Sequence, residues 1–378
     1  MALASYAGQA SYDQADSHFL DLSDVLSAIL LADTFFLGRC SMGEAKDQTI
    51  FYWNEDALNA TVVTNAAALD SSEVTLNVGS GQGLRLRIGA LLLDEAIGMT
   101  EVMQVTAIST DAITVTRGFG DSAPAGEAHL AGASYRIIGQ PVQEGDSGVT
   151  DRSKVRTVKN NVFQIFKAEV EVSGTTKAVK SAGVPNEFNY QIAQRMLELK
   201  RELAMSHLTG VKKAAGSDSV YRSMDGVRNV VRIGGNVITT SEALTEGAVN
   251  ALATLIWNDG GEADLAVGHE SQMSKFAELY KDKIRLAPSD RQVGRFITKF
   301  LTDKGVEIDL LTDRWAQRGD LLLLDSKRCS LHTLNGRAMH MEPLAKTGDS
   351  DRAMIIGEYS NSVRNAGEAH ALHSGLTA

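Results

Sequence analysis

Several short stretches of the chain carry residue types whose spacing could do chemistry. Gly145-Asp146-Ser147-Gly148 copies the nucleophile signature of chymotrypsin-like proteases, where the serine needs a histidine base and an orienting acid placed by a two-barrel β fold. The histidines upstream are only His18 and His129, and Val149 stands where a second glycine is usual. A polar turn accounts for the stretch better. Gly79-Ser80-Gly81-Gln82-Gly83-Leu84 invites a phosphate-loop reading, but it lacks the third glycine of GxGxxG, and strand residues follow it instead of a helix. No GxxxxGK[ST] occurs anywhere. His370 and His373 have the spacing of metal ligands on a helix. The local pattern there is a strand, which sends them to opposite faces, and no thiol or carboxylate cluster completes a ligand set. Phe51-Tyr52-Trp53 has the makings of a stacking platform, but strand packing against neighbours accounts for it better. No catalytic, cofactor-binding or metal-binding residue is assigned, and the chain is read as non-enzymatic. An activity lost in Ser147→Ala would mark the alternative.

Composition narrows the class. The chain has 378 residues, 43% hydrophobic and 22% charged, enough for two or three domains and at least one large core. Its formal net charge of −10 argues against a surface that grips nucleic acid all round. Two cysteines, Cys40 and Cys329, are too few for a disulfide framework, and two reduced thiols in a cytosolic product are expected. No basic stretch precedes an apolar run near the start, and Val25–Leu37 is broken by Asp33. Neither a signal peptide nor a membrane span is expected. Charge is unevenly placed: residues 1–50 hold seven acids against two bases, whereas residues 151–235 hold fifteen bases against eight acids. Such asymmetry fits docking between copies or a basic face toward a polyanion, as well as plain solvated faces.

The elements follow from pattern. Between about 60 and 139, short strands at Glu73–Val78, Ala90–Asp94, Glu101–Ile108, Ala112–Thr116 and Ser134–Ile138 are separated by glycines. They read as a small antiparallel barrel or sandwich. The flanks Gln48–Asp56 and Val155–Thr175 would pair as arms of a long hairpin carrying it. In the second arm, Phe166, Ala168, Val170 and Val172 alternate with Lys167, Glu169 and Glu171, so the even positions should be buried. Asn186 as N-cap and Gly210 as stop bound a helix with Phe188, Ile192, Met196, Leu199 and Leu203 on one face. Helices near Glu242–Asn258 and Ser271–Tyr280 alternate with strands at Ala263–Val267, Phe296–Leu301, Val306–Leu311 and Leu321–Leu324. Four short strands, Ser330–Leu334, Ala338–Pro343, Ala353–Tyr359 and Ala369–Ser374, form the tail.

In this order the parts resemble the major capsid proteins of tailed bacteriophages, with the fold first described for phage Hong Kong 97. The resemblance rests on Asn161-Val162-Phe163-Gln164-Ile165-Phe166 running into Val170–Thr175, on the long helix Asn186 to Gly210, and on Gly260-Gly261. Further matches are Asp290–Gly294, Thr302-Asp303-Lys304-Gly305 and Glu342–Ser350. It implies an α+β fold: an N-arm (1–45), an E-loop hairpin (46–59 and 140–175) and a peripheral P-domain (176–235 and 338–365) with its spine helix at 187–209. An axial A-domain (236–337 and 366–378) completes it, with the β-barrel at 60–139 inserted in the E-loop. The short arm argues against proteolytic removal of an N-terminal scaffolding segment.

The resemblance further implies a structural protein of the virion, made in the host cytoplasm. It would self-assemble as hexamers and pentamers into an icosahedral shell around double-stranded DNA, touched without base readout and without a membrane or cofactor. Portal, scaffolding and cement proteins are expected partners. Phe51, Trp53, Arg152, Lys154 and Arg156 of the E-loop are the expected contacts to a neighbouring subunit. The shell of a bacterial nanocompartment shares the fold and is the nearest alternative, and a virion adhesin built on the β module is another of a different class.

Overall fold

Two strands open the described part of the chain, β1 (Ser41–Met42) and β2 (Ile50–Glu55). The computed structural model describes residues 35–56, 58–96, 98–120, 126–142, 144–145, 153, 155–179, 184, 186–214, 221–279, 299–346 and 348–377. Most of the acidic arm, Asp146, Ser147 and Gly148, and two of the expected contact residues, Arg152 and Lys154, lie outside them. So does the matching stretch 290–294. The chain divides into two units, 54–158 and the remainder.

The smaller unit holds β3 (Val62–Thr64), β4 (Thr75–Asn77), β5 (Leu91–Asp94), β6 (Val102–Ser109), β7 (Ala112–Thr116) and β8 (Ser134–Gly139) in one antiparallel sheet, ordered β3-β8-β5-β6-β7-β4. Its two end strands meet through an Asn65–Val78 bridge, with Gly79 N donating to Thr64 O at 2.9 Å, so the sheet closes on itself. Alternate residues fill the inside: Val63, Leu76, Leu92, Met103, Val105, Ile113, Val115 and Tyr135 are buried together. The strand expected from Glu73 is shorter than its pattern, and Val74 is exposed. The Asp70 carboxylate accepts the amides of Ser72 and Glu73 at 2.8 and 2.7 Å, holding that stretch in a turn before the strand begins.

In the larger unit β9 (Thr157–Val162) pairs with β2 as a two-stranded ribbon. β10 (Gln164–Ser173) follows, with Phe166, Val170 and Val172 buried as the alternation requires. The second hairpin arm therefore does not run as one piece from Val155 to Thr175. It divides at Phe163, and β10 pairs along its whole length with the last long strand, Gln164 opposite Tyr359 and Ser173 opposite Ser350. Ten paired residues with a buried face outweigh what a free arm could gain in water.

After a short helix α1 (Gly174–Ala178) comes α2 (Glu187–Thr209), capped as expected by the Asn186 side chain accepting from Asn189 N and ended at Gly210. Its apolar stripe lies on β10: Leu199 and Leu203 pack with Phe166, Val170, Val172, Ile355 and Tyr359. Then follow α3 (Val227–Gly234), β11 (Val237–Thr239), α4 (Glu246–Asn258), β12 (Leu265–Gly268) and α5 (Glu270–Leu279). The remaining strands are β13 (Lys299–Leu301), β14 (Glu307–Thr312), β15 (Leu321–Leu324), β16 (Cys329–Thr333), β17 (His340–Leu344), β18 (Ser350–Val363) and β19 (Ala371–Ser374).

They form two sheets. One joins β1, β16, β18 and β10, with β17 also on β18; the other is ordered β11-β19-β15-β12-β14-β13. β15 is four leucines buried on both faces, because its residues feed two cores in alternation. Leu321 and Leu323 join Val249, Leu252, Ile256 and Phe276 of α4 and α5. Leu322 and Leu324 join Phe36, Leu208, Val227 and Val231 on the opposite side.

Candidate functional site

The expected contact residues divide sharply by environment. Along the ribbon, side chains alternate between its faces, so Phe51 and Trp53 share one side and Tyr52 takes the other. The Phe51 ring is only 6% exposed and lies 4.9 Å from the His332 ring, 5.7 Å from Phe163 and 5.2 Å from Trp53. It is spent inside its own chain. Tyr52, named with the aromatic cluster but not among the expected contacts, is 62% exposed. The signal that could have found it was the same alternation, with Phe51 taken as the inward residue. Arg156 faces its own Asp56 at 3.7 Å, with both side chains mostly exposed, a pair of little energetic weight.

The base of the ribbon is anchored by a buried polar junction. Asn161 Nδ2 donates to Asn361 O at 2.9 Å and to Asn361 Oδ1 at 2.5 Å, while its own Oδ1 accepts from Val162 N and Asp225 N at 2.8 and 2.9 Å. Asp225 accepts from Asn229 Nδ2 at 2.6 Å, and burial raises its carboxyl pKa. Asn361 Nδ2 donates to His207 O at 3.2 Å, and the His207 ring meets Cys40 Sγ at 3.2 Å and stacks on Phe36. One chain of hydrogen bonds thus runs from the ribbon through β18 and the end of α2 to the entering segment. That segment is held again by His332, whose ring donates to Glu44 O at 2.9 Å and meets Ser362 Oγ at 3.0 Å. Any side chain at Gly43 would stand 2.1 Å from that ring.

The smaller unit carries its own buried cluster. His129 places one ring nitrogen 2.6 Å from Asp94 Oδ2 and the other 3.1 Å from Glu101 Oε2, and all three side chains are inaccessible. Glu101 takes both arms of Arg117, at 2.7 and 2.6 Å, and the amides of Gly118, Gly126 and Glu127. These donors outweigh desolvation and hold its carboxyl down at about 2. The cluster thus ties together the end of β5 at Asp94, the residue before β6 at Glu101, the residue after β7 at Arg117 and the segment at His129.

The remaining sequence candidates resolve locally. At the glycine-rich turn, Gly81 N and Gly83 N are already bound by the Asp111 carboxylate at 2.9 and 3.1 Å, occupying the donors a phosphate would need. His370 and His373 are both buried. His370 Nδ1 accepts from Asp325 N at 3.2 Å, and His373 Nε2 meets Thr240 Oγ1 at 3.2 Å. Among the described residues, no group of three or more His, Cys, Asp or Glu is placed to hold a metal. No helix among them is long and apolar enough to cross a membrane.

A family model described as SU10 major capsid protein matches residues 5–377. No curated protein matches the chain. Solved structures share its fold at low identity. The cyanophage A-1(L) capsid asymmetric unit is 11% identical with a TM-score of 0.53, covering 98% of this chain and 100% of that one. A chain of Microbacterium phage Oxtober96 is 12% identical with a TM-score of 0.52, covering 97% and 99%. The capsid of a native GTA particle is 10% identical with a TM-score of 0.50, covering 99% and 100%.

Proposed function

The chain belongs to the SU10 major capsid protein family and is the major capsid protein of a phage, and from that premise we propose how its parts build the shell. Copies assemble into the hexamers and pentamers of an icosahedral shell around double-stranded DNA. The ribbon of β2 and β9 is the arm that reaches a neighbouring copy, as an E-loop. The observation that carries this role is the ribbon's two-stranded sheet, with Tyr52 exposed on it. A lone two-stranded ribbon is marginal in water, and a neighbour's surface supplies the missing cover. Tyr52 is the apolar contact, and Arg152, Lys154 and Arg156 meet acids across the boundary. Trp53 steadies the arm from its inner face.

The closed β module at 60–139 rides on the E-loop at the outer surface and clamps adjacent subunits. Its ionic cluster makes it stiff without help from a partner. Each contact is weak, and many per subunit sum to a shell that withholds packaged DNA. Contact with that DNA is ionic and sequence-independent. Portal, scaffolding and cement proteins complete the particle, which is put together in the host cytoplasm.

Negative-stain electron microscopy and mass photometry of the expressed chain test the assembly. Closed shells, tubes, hexamers or pentamers are expected. A monodisperse monomer or trimer that persists on co-expression with the neighbouring genes would overturn it. For the clamp, shells lacking residues 60–139 should melt at lower temperature, and unchanged heat stability would refute that role.

A further inference from the structure

The chain's only two cysteines, far apart in sequence, are brought to one place. β1 runs parallel to β16 with Ser41 opposite Ser330, and the two serine hydroxyls meet at 2.8 Å. One residue back along each segment stand Cys40 and Cys329. Cys329, the first residue of β16, turns to the face opposite Ser330, and Cys40 stands just before β1. On that face Cys329 is part of the buried cluster with Phe36, Leu208 and Val363, and Cys40 packs against it. Ser41 and Ser330, the residues that follow the two cysteines, are paired strand residues, and adjacent strands lie about 4.8 Å apart, so the cysteines before them fall near the roughly 4.4–6.8 Å between Cα atoms that a disulfide spans. Both thiols are free in this structure.

We propose that Cys40 and Cys329 are a latent disulfide, closed when the assembled protein leaves a reducing compartment, which then locks the segment entering from the N-terminal arm onto the sheet. The oxidant is a small disulfide of the surrounding medium. The half-buried Cys40, as thiolate, attacks one of its sulfurs and releases one small thiolate. The Cys329 thiolate then attacks Cys40 Sγ, breaking the mixed disulfide and releasing the second. Two protein thiols are oxidised, one small disulfide is reduced to two thiols, and the two protons lost by the cysteines are taken up by the departing thiolates. Burial pushes the Cys40 thiol up to about 12, and Cys329 well above its ordinary value, so little thiolate exists and closure is slow. Its consequence is stability, because the bond closes a very long loop of the unfolded chain.

Oxidised glutathione, incubated over days with the full-length protein as it assembles, tests this whether or not closed shells form. Thiols titrated after denaturation should fall from two per chain to none. Proteolytic peptides containing Cys40 and Cys329 should be joined, and the unfolding midpoint should rise and return with dithiothreitol. Cys40→Ser and Cys329→Ala should each abolish the rise, and if the buried Cys329 variant fails to fold, Cys40→Ser decides alone. Glutathione left on Cys40 beside a free Cys329, crosslinks between chains, or two thiols still titrating would each overturn the proposal.

Discussion

Asn161 Nδ2 donates to the backbone oxygen of Asn361 at 2.9 Å, across 200 positions of sequence, with both residues buried. Through it the first strand after the β module is tied to β18. Loss of the amide leaves the N–H groups of Val162 and Asp225 without the acceptor they use. Asn161→Ala should cost about 2–6 kcal/mol, since each of the two unsatisfied buried groups costs about 1–3 kcal/mol. Asn161→Asp keeps the acceptor but turns a second oxygen on Asn361 O, and should also destabilise. Thermal unfolding of the two variants checks this, and a midpoint equal to the parent's in both would refute the anchoring role.

The larger unit should weaken in mild acid. His207 and His370 are held down at about 4 by burial, and His332 and His373 are lowered for the same reason. For a histidine whose folded pKa lies below its unfolded value near 6.5, the unfolded chain binds more protons. Stability is then complete above about 6.5 and is lost as pH falls from there toward the folded value. His207 and His370 should each remove about 2 kcal/mol between pH 7 and pH 5. Denaturant midpoints at the two pH values, repeated with His370→Gln, measure the loss.

The smaller unit should resist the same change. The Glu101 carboxyl, held at about 2, contributes stability that is present above its ordinary value of 4.5 and disappears only as pH falls through the folded value. Glu101→Gln leaves Arg117 and His129 buried without that anion and should destabilise the unit by about 3–5 kcal/mol. Hydrogen exchange at the amides of β5, β6 and β8 is the readout.

Phe51 and Tyr52, adjacent on one strand, should separate folding from assembly. Phe51→Ala empties a buried site and should cost about 3–5 kcal/mol in the isolated chain. Tyr52→Ala should leave the isolated chain's melting within about 0.5 kcal/mol of the parent, as exposed positions do, while reducing shell yield. Equal effects of the two on monomer stability would remove Tyr52 from the interface.

Much of the fold could be read directly. The helix Glu187–Thr209 has the ends that Asn186 and Gly210 mark, and β15 is the run of leucines. These elements carry their determinants locally, in caps, periodicity or unbroken apolarity. β18 was harder. Its tail Ser360-Asn361-Ser362 is polar and ends an expected strand at Tyr359, yet the strand runs to Val363 with those residues fully buried. Polarity in a sequence reads as solvent. For Asn361 and Ser362, Asn161, His207 and His332 supply the partners that make burial tolerable, and all of them are remote in sequence.

The capsid family was legible from the order of elements and a few short motifs, because that order and those caps are written in contiguous residues. Which side of each strand faces inward, and therefore which residue of Phe51-Tyr52-Trp53 is left for a neighbour, was decided only when His332 and Phe163 arrived beside Phe51. The same holds for the split of the second arm between two sheets and for the meeting of Cys40 with Cys329. Periodicity depends on neighbours in the chain, whereas register and burial depend on neighbours in space, and only the folded chain brings those together.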